Sequence, residues 1–91
     1  MKRWLFLILC LFAVSGAYAQ MTAYQDLLEG NKDYAAKDYQ NALVNYQAAA
    51  AANANYGVAF QGVGNCQLIL GNKAAALAAY QTSLSLKPIT P

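Results

Sequence analysis

Apolar residues recur at helical spacing along the chain after residue 21, and no stretch alternates between apolar and polar residues as a half-buried strand does. Alanine and other strong helix formers dominate this region. The pattern predicts an all-α protein with helices over residues 22–36, 39–52, 56–70 and 73–86. Asp38 is the predicted N-cap of the second helix, and turn signals separate the helices at Lys37-Asp38, Asn53-Ala54-Asn55 and Gly71-Asn72.

The four predicted helices form two pairs with related sequences. Three dipeptides recur with residue numbers that differ by 34: Gly30-Asn31 and Gly64-Asn65, Ala42-Leu43 and Ala76-Leu77, Tyr46-Gln47 and Tyr80-Gln81. A constant period of this length, with one helix–turn–helix in each unit, is typical of tetratricopeptide repeat arrays. The two units are then residues 23–56 and 57–90.

The run GNKDYAAKDYQNALVNYQAA, residues 30–49, resembles the tetratricopeptide repeat family. In that family a small residue late in the first helix of a unit packs against an alanine in the second helix, which lets the two helices approach closely. The resemblance implies a solenoid of two repeats with four antiparallel helices. It assigns packing roles to Gly30, Tyr39, Ala42, Tyr46, Ala49, Phe60, Gly64, Ala76, Tyr80 and Pro88.

The N-terminal residues have the pattern of a secretory signal peptide. Lys2 and Arg3 precede an apolar run from Trp4 to Val14, and Ala17-Tyr18-Ala19 fits an A-x-A cleavage site. The run is short for a membrane span, which needs about 20 residues, and an uncleaved membrane anchor is the alternative. We therefore expect export to the bacterial periplasm or secretion, with residues 1–19 as the signal and residues 20–91 as the mature repeat domain.

The charge and composition of the mature chain exclude several classes of function. The whole chain carries a net charge of +2, but four lysines and four acidic residues remain after cleavage, so the mature net charge is zero. A neutral chain without arginine lacks the basic surface that attracts nucleic acids or anionic membranes. It also has no histidine, no nucleophile–base dyad and no metal-binding spacing. We expect neither enzymatic activity nor a cofactor.

The resemblance indicates a protein-binding module whose first helices line a concave face. Asn31 and Asn65 follow the glycine where family members contact a bound peptide, and an amide can both donate and accept hydrogen bonds. The alternative is that both are ordinary polar helix residues. Leu27 replaces the lysine with which some family members clamp a C-terminal carboxylate, so an apolar or aromatic-bearing ligand is favoured. The predicted contact residues are Tyr24, Leu27, Asn31, Tyr34, Gln61, Asn65 and Leu68.

Other features leave alternatives open. Asp26, Glu29 and Asp33 form an acidic stripe that is either a solvated outer face or a patch for a basic partner or a cation. Cys66 has apolar neighbours at helical spacing and is expected in the core, with an intermolecular disulfide as the alternative. The end of the second unit is apolar, and the residues predicted to form this apolar surface are Ile69, Leu70, Leu77, Leu84 and Leu86. The alternative interpretation of the chain is therefore a self-assembling homo-oligomer or a fragment of a longer repeat protein.

We predict that the exported protein is cleaved after Ala19 and starts at Gln20, because the A-x-A site directly precedes this bond. The intact mass of the exported chain measures the cleavage position. A membrane fraction that retains residues 1–19 would contradict both the cleavage and the predicted location.

Overall fold

The computed structural model describes residues 21–86, which form four helices and no strand. We number them α1 (residues 21–35), α2 (Tyr39–Ala52), α3 (Gly57–Ile69) and α4 (Lys73–Ser85). The predicted all-α fold of two helix–turn–helix units is confirmed, and each helix bound in the described residues lies within one residue of its prediction. The predicted signal peptide and Pro88 lie outside the described residues.

The two units stack so that α3 lies between its neighbours and packs against both α2 and α4. Within the first unit, Asp38 is the N-cap of α2, as predicted. The Asp38 carboxylate accepts hydrogen bonds from the Asn41 backbone N–H at 3.4 Å and from the Asn41 side-chain amide at 2.7 Å. A side-chain acceptor at this position satisfies a backbone N–H group that has no partner within the helix. The cap therefore fixes where the second helix of the first unit starts.

The turns within the two units have the same backbone structure. The N–H of Asp38 donates to the carbonyl of Asp33 at 2.9 Å, and the N–H of Lys37 donates to the carbonyl of Tyr34 at 3.0 Å. The second turn repeats both bonds, 34 residues later, from Asn72 to Gln67 at 2.8 Å and from Gly71 to Leu68 at 3.1 Å. This pairing is the Schellman motif, which needs a left-handed residue after the helix.

Different residues fill the left-handed position in the two turns. Gly71 has a φ of 90°, which glycine adopts without steric cost, whereas Lys37 has a φ of 63°. For a residue with a Cβ atom, this conformation lowers the stability of the fold by roughly 1–2 kcal/mol, because the Cβ atom comes too close to a carbonyl oxygen. The first turn is therefore strained, and the hydrogen bonds and packing of the first unit hold it in place.

The hydrophobic core lies between the first unit and α3 and is built mainly from small residues. Cys66 is fully buried there, as expected from its spacing, and burial raises the pKa of its thiol, which disfavours the reactive thiolate. Small side chains allow the helices to approach closely. The buried cluster is Leu27, Ala42, Tyr46, Ala49, Ala59 and Cys66, with Tyr34, Leu43, Ala50, Tyr56 and Val63 packed against it.

We predict opposite effects of two substitutions at the left-handed positions. Lys37→Gly should raise the free energy of unfolding by about 1 kcal/mol because it removes the steric cost of the Cβ atom. Gly71→Ala should lower it by about 1 kcal/mol through backbone strain alone, since no other atom lies within 4 Å of the added Cβ. Urea unfolding followed by circular dichroism measures both variants. Shifts of the same sign would contradict this assignment.

Candidate functional site

The side chain of Tyr46 occupies a space between α1 and α3 that exists because both helices carry a glycine there. A Cβ atom on Gly30 would lie 2.7 Å from the Cδ1 and Cε1 atoms of the ring. One on Gly62 would lie 2.7 Å from Cδ1 and Cγ, well below the 3.0 Å that real Cβ contacts keep. The ring of α2 therefore contacts the backbone of two helices, and only 4% of Tyr46 is exposed.

The hydroxyl of the same tyrosine forms a hydrogen bond with Asn31, one of the predicted contact residues. The Tyr46 hydroxyl donates to Oδ1 of Asn31 at 2.6 Å. Burial first, and the nearby Cys66, Tyr34 and Asp33 to a smaller extent, raise the pKa of this hydroxyl above its ordinary value. It therefore stays protonated at neutral pH and acts as a hydrogen-bond donor.

The second unit repeats this arrangement. A Cβ atom on Gly64 would lie 2.7 Å from Cε1 of Tyr80, and the Tyr80 hydroxyl donates to Oδ1 of Asn65. In both units the asparagine and its tyrosine are 15 residues apart. The structure thus brings the two predicted asparagines into equivalent environments in successive units.

The hydrogen bond from tyrosine uses the side-chain oxygen of each asparagine and leaves its NH₂ group as a donor. The amide oxygen is occupied by tyrosine, and the NH₂ groups of Asn31 and Asn65 have no protein partner within residues 21–86. Asn31 is exposed and Asn65 is half-buried. Both asparagines are therefore more than polar helix residues: their oxygens anchor the fold, and their NH₂ groups remain as oriented donors.

The other predicted contact residues fall into two groups. Tyr24 is 56% exposed and Leu68 is 50% exposed, and Gln61 is also exposed, so these side chains are accessible. Tyr34 is half-buried and meets the ring of Tyr39 edge-on, with centroids 5.3 Å apart. Its role includes packing as well as any contact with a ligand.

Leu27 departs from its predicted place on the accessible surface. Its exposure is only 7%, and it belongs to the core cluster. A leucine loses about 1.5–3 kcal/mol when it is taken from an apolar environment into water. Among the predicted contact residues on α1, Tyr24 and Asn31 are therefore exposed, whereas Leu27 is not.

The acidic stripe is not a uniformly solvated face. Oδ2 of Asp33 accepts a hydrogen bond from the side-chain amide of Asn45 at 2.7 Å, which joins α1 to α2. Asp26 is half-buried and Glu29 is exposed. Within residues 21–86, no cluster of three or more acidic, cysteine or histidine side chains could hold a metal ion. At least one of the three acids therefore has a structural role.

Most of the predicted packing residues are in packed positions. Tyr39 contacts Tyr34, and Phe60 and Tyr80 are half-buried. The sequence did not indicate a packing role for Gly62, because its counterpart in the first unit is Leu28 and the repeat therefore does not mark it. The fully or almost fully buried members of the predicted set are Gly30, Ala42, Tyr46, Ala49, Gly64 and Ala76.

Comparison of the chain with protein-family models, with curated proteins and with solved structures finds no match. Among the helices of residues 21–86, none combines the length and apolar character needed to cross a membrane. The functional interpretation therefore depends on the geometry of these residues and on the resemblance in sequence pattern.

We predict that Gly62→Ala lowers the free energy of unfolding by about 1 kcal/mol or more. The added methyl group would meet the Tyr46 ring at 2.7 Å, and overpacking typically costs 1–3 kcal/mol, partly offset by the better helix propensity of alanine. Urea unfolding measures the change.

Gly57→Ala is the matched control on the same helix, since its Cβ would have an ordinary contact of 3.6 Å with Ser83. This variant should equal or exceed the wild type in stability. If Gly62→Ala were as stable as Gly57→Ala, the close fit of the ring would be refuted.

Proposed function

We propose that this chain is an exported, non-enzymatic protein-interaction module of the tetratricopeptide type. It binds an extended peptide segment of a partner protein through the accessible side of α1 and α3. The observation that carries the proposal is the repeated tyrosine–asparagine pair, which holds the amides of Asn31 and Asn65 in the same way in both units. The repeat period and the resemblance in sequence support the same conclusion.

Two oriented amide donors suit an extended chain. The main-chain carbonyls of an extended peptide recur at regular intervals and accept hydrogen bonds from side-chain NH₂ groups. Since Tyr46 and Tyr80 already restrict the rotation of the two amides, a ligand does not have to supply this ordering. Such preorganisation favours affinity because less conformational entropy is lost on binding.

Exposed apolar side chains define the kind of peptide that fits. Tyr24 on α1 and Leu68 on α3 are about half exposed and offer apolar contacts beside the amides. Leu27, in the position of a carboxylate-clamping lysine, is buried and uncharged. The ligand is therefore an internal segment with apolar or aromatic side chains, which usually contribute most of the affinity in such interfaces.

The N-terminal pattern supports export, so the partner is a protein of the periplasm or the extracellular space. No cofactor, nucleic acid or membrane surface is needed for this function. The mature chain has no histidine or arginine, and its acids are confined to residues 26–38, which suits binding better than catalysis.

A second candidate function is self-assembly into a homo-oligomer. It is favoured by two leucines on α4, Leu77 at 58% and Leu84 at 85% exposure. Large exposed apolar side chains on one element are a common feature of association surfaces. They lie on a different helix from Asn31 and Tyr24, so the two functions are separable by mutation.

The peptide-binding proposal predicts a specific response to Asn31→Asp and Asn65→Asp. Aspartate keeps an acceptor for the tyrosine hydroxyl but removes the NH₂ donor, so each variant should fold normally and bind about three- to ten-fold more weakly. Tyr24→Ala should weaken binding further through lost apolar contact. The probe is a peptide selected on the wild-type protein from a displayed random library, and fluorescence anisotropy measures its affinity.

Gln47→Glu is the charge-matched control, because Gln47 is exposed on α2. It should bind like the wild type. Affinity that ignores the changes at Asn31, Asn65 and Tyr24 but falls with Asp26→Asn and Glu29→Gln would place the binding surface on the acidic stripe instead.

A further inference from the structure

One face of α4 corresponds to a face of α2 that is covered in the structure. On α2, Leu43, Tyr46 and Ala50 belong to the core cluster or pack against it. Their counterparts 34 residues later are Leu77, Tyr80 and Leu84. Leu77 is 58% exposed, Leu84 is 85% exposed and Tyr80 is half-buried, so no part of residues 21–86 covers them as α3 covers α2.

The covered face of α2 shows what kind of helix fits this surface. The α3 residues buried there include Ala59, Gly62 and Cys66, a small residue at i, i+3 and i+7. A Cβ atom on Gly62 would lie 2.7 Å from the Tyr46 ring, so the ring would have to shift to admit even a methyl group. A helix that covers α4 in the same way needs a glycine against the Tyr80 ring, with small residues three positions before it and four positions after it.

We propose that α4 is a second docking surface, which accepts a helix of a partner protein with this glycine-centred pattern of small residues. The surface continues the interface between α2 and α3 by one repeat, with Tyr80 in the role of Tyr46. Binding buries Leu77 and Leu84, and the partner contributes a helix face as in other helix-in-groove complexes. It is separate from the peptide-binding side of α1 and α3.

A second copy of the chain does not supply this helix in a head-to-tail stack. Helix α1 in the register of α3 would place Leu28 against the Tyr80 ring, whereas a glycine lies against the equivalent ring of α2. If α1 instead placed Gly30 against the Tyr80 ring, Leu27 and Tyr34 would lie three positions before and four positions after the glycine, where the pattern requires small residues. Helices α2 and α4 contain no glycine, and the matching residues of α3 are buried within their own molecule. None of α1–α4 from a second copy therefore fits α4 in this way, and we assign the surface to a helix of a different protein.

The probe for this surface is a fluorescent synthetic peptide with the sequence of residues 56–70, in which Cys66 is replaced by alanine to prevent disulfide formation. This sequence has the required pattern, and it is added to the full-length mature protein. We expect saturable binding by fluorescence anisotropy. Gly62→Leu in the peptide, and Leu77→Asp in the protein, should each weaken binding at least ten-fold.

The matched control in the protein is Val44→Asp on α2, because Val44 has a similar exposure of 60%. It should leave the affinity for the helical peptide unchanged, as should Asn31→Asp. Binding that is insensitive to Gly62→Leu or to Leu77→Asp would overturn the proposal. The proposal would also be overturned if the wild-type protein were a dimer that does not bind the peptide and if Leu77→Asp made it a monomer. In that case α4 would bind a second copy of the chain.

Discussion

The fold depends on the insertion of one aromatic ring between two helix backbones. Tyr46 projects from α2 between Gly30 of α1 and Gly62 of α3, and each glycine lies so close to the ring that a methyl group would collide with it. One side chain thus sets the distances among three helices that come from both units. This ring is the largest side chain in the buried cluster. The alanines of the core fill the remaining space, and each contributes little apolar area.

The same side chain links the fold to the proposed function. The hydroxyl of Tyr46 reaches Asn31, so the residue that joins the units also orients an amide on the accessible side of α1. Tyr80 and Asn65 repeat the link in the second unit. A change that loosens the packing of either ring would therefore also release the amide it holds. Stability and peptide binding should be coupled through these two tyrosines.

The helices and their pairing could be predicted from the sequence because they depend on local signals and on a constant offset. The role of Asn31 as an acceptor could not, since it is a contact between helices over 15 residues. Leu27 was placed on the accessible surface by the family resemblance, but its burial depends on packing against the core cluster, which the repeat position does not reveal. Gly62 escaped prediction because its counterpart in the first unit is Leu28, so the repeat comparison does not mark it, and because its contact is with the preceding unit.

Hydrogen exchange of the Tyr46→Leu variant tests the central role of this ring most directly. Leucine is apolar but too short to lie between both glycines and reach Asn31. In the wild-type protein, the slowest amides of α2 and α3 should share one free energy of opening, because the units unfold together. In Tyr46→Leu the values for the two helices should fall and separate, whereas Tyr80→Leu should leave them equal. Equal values in Tyr46→Leu would contradict the account.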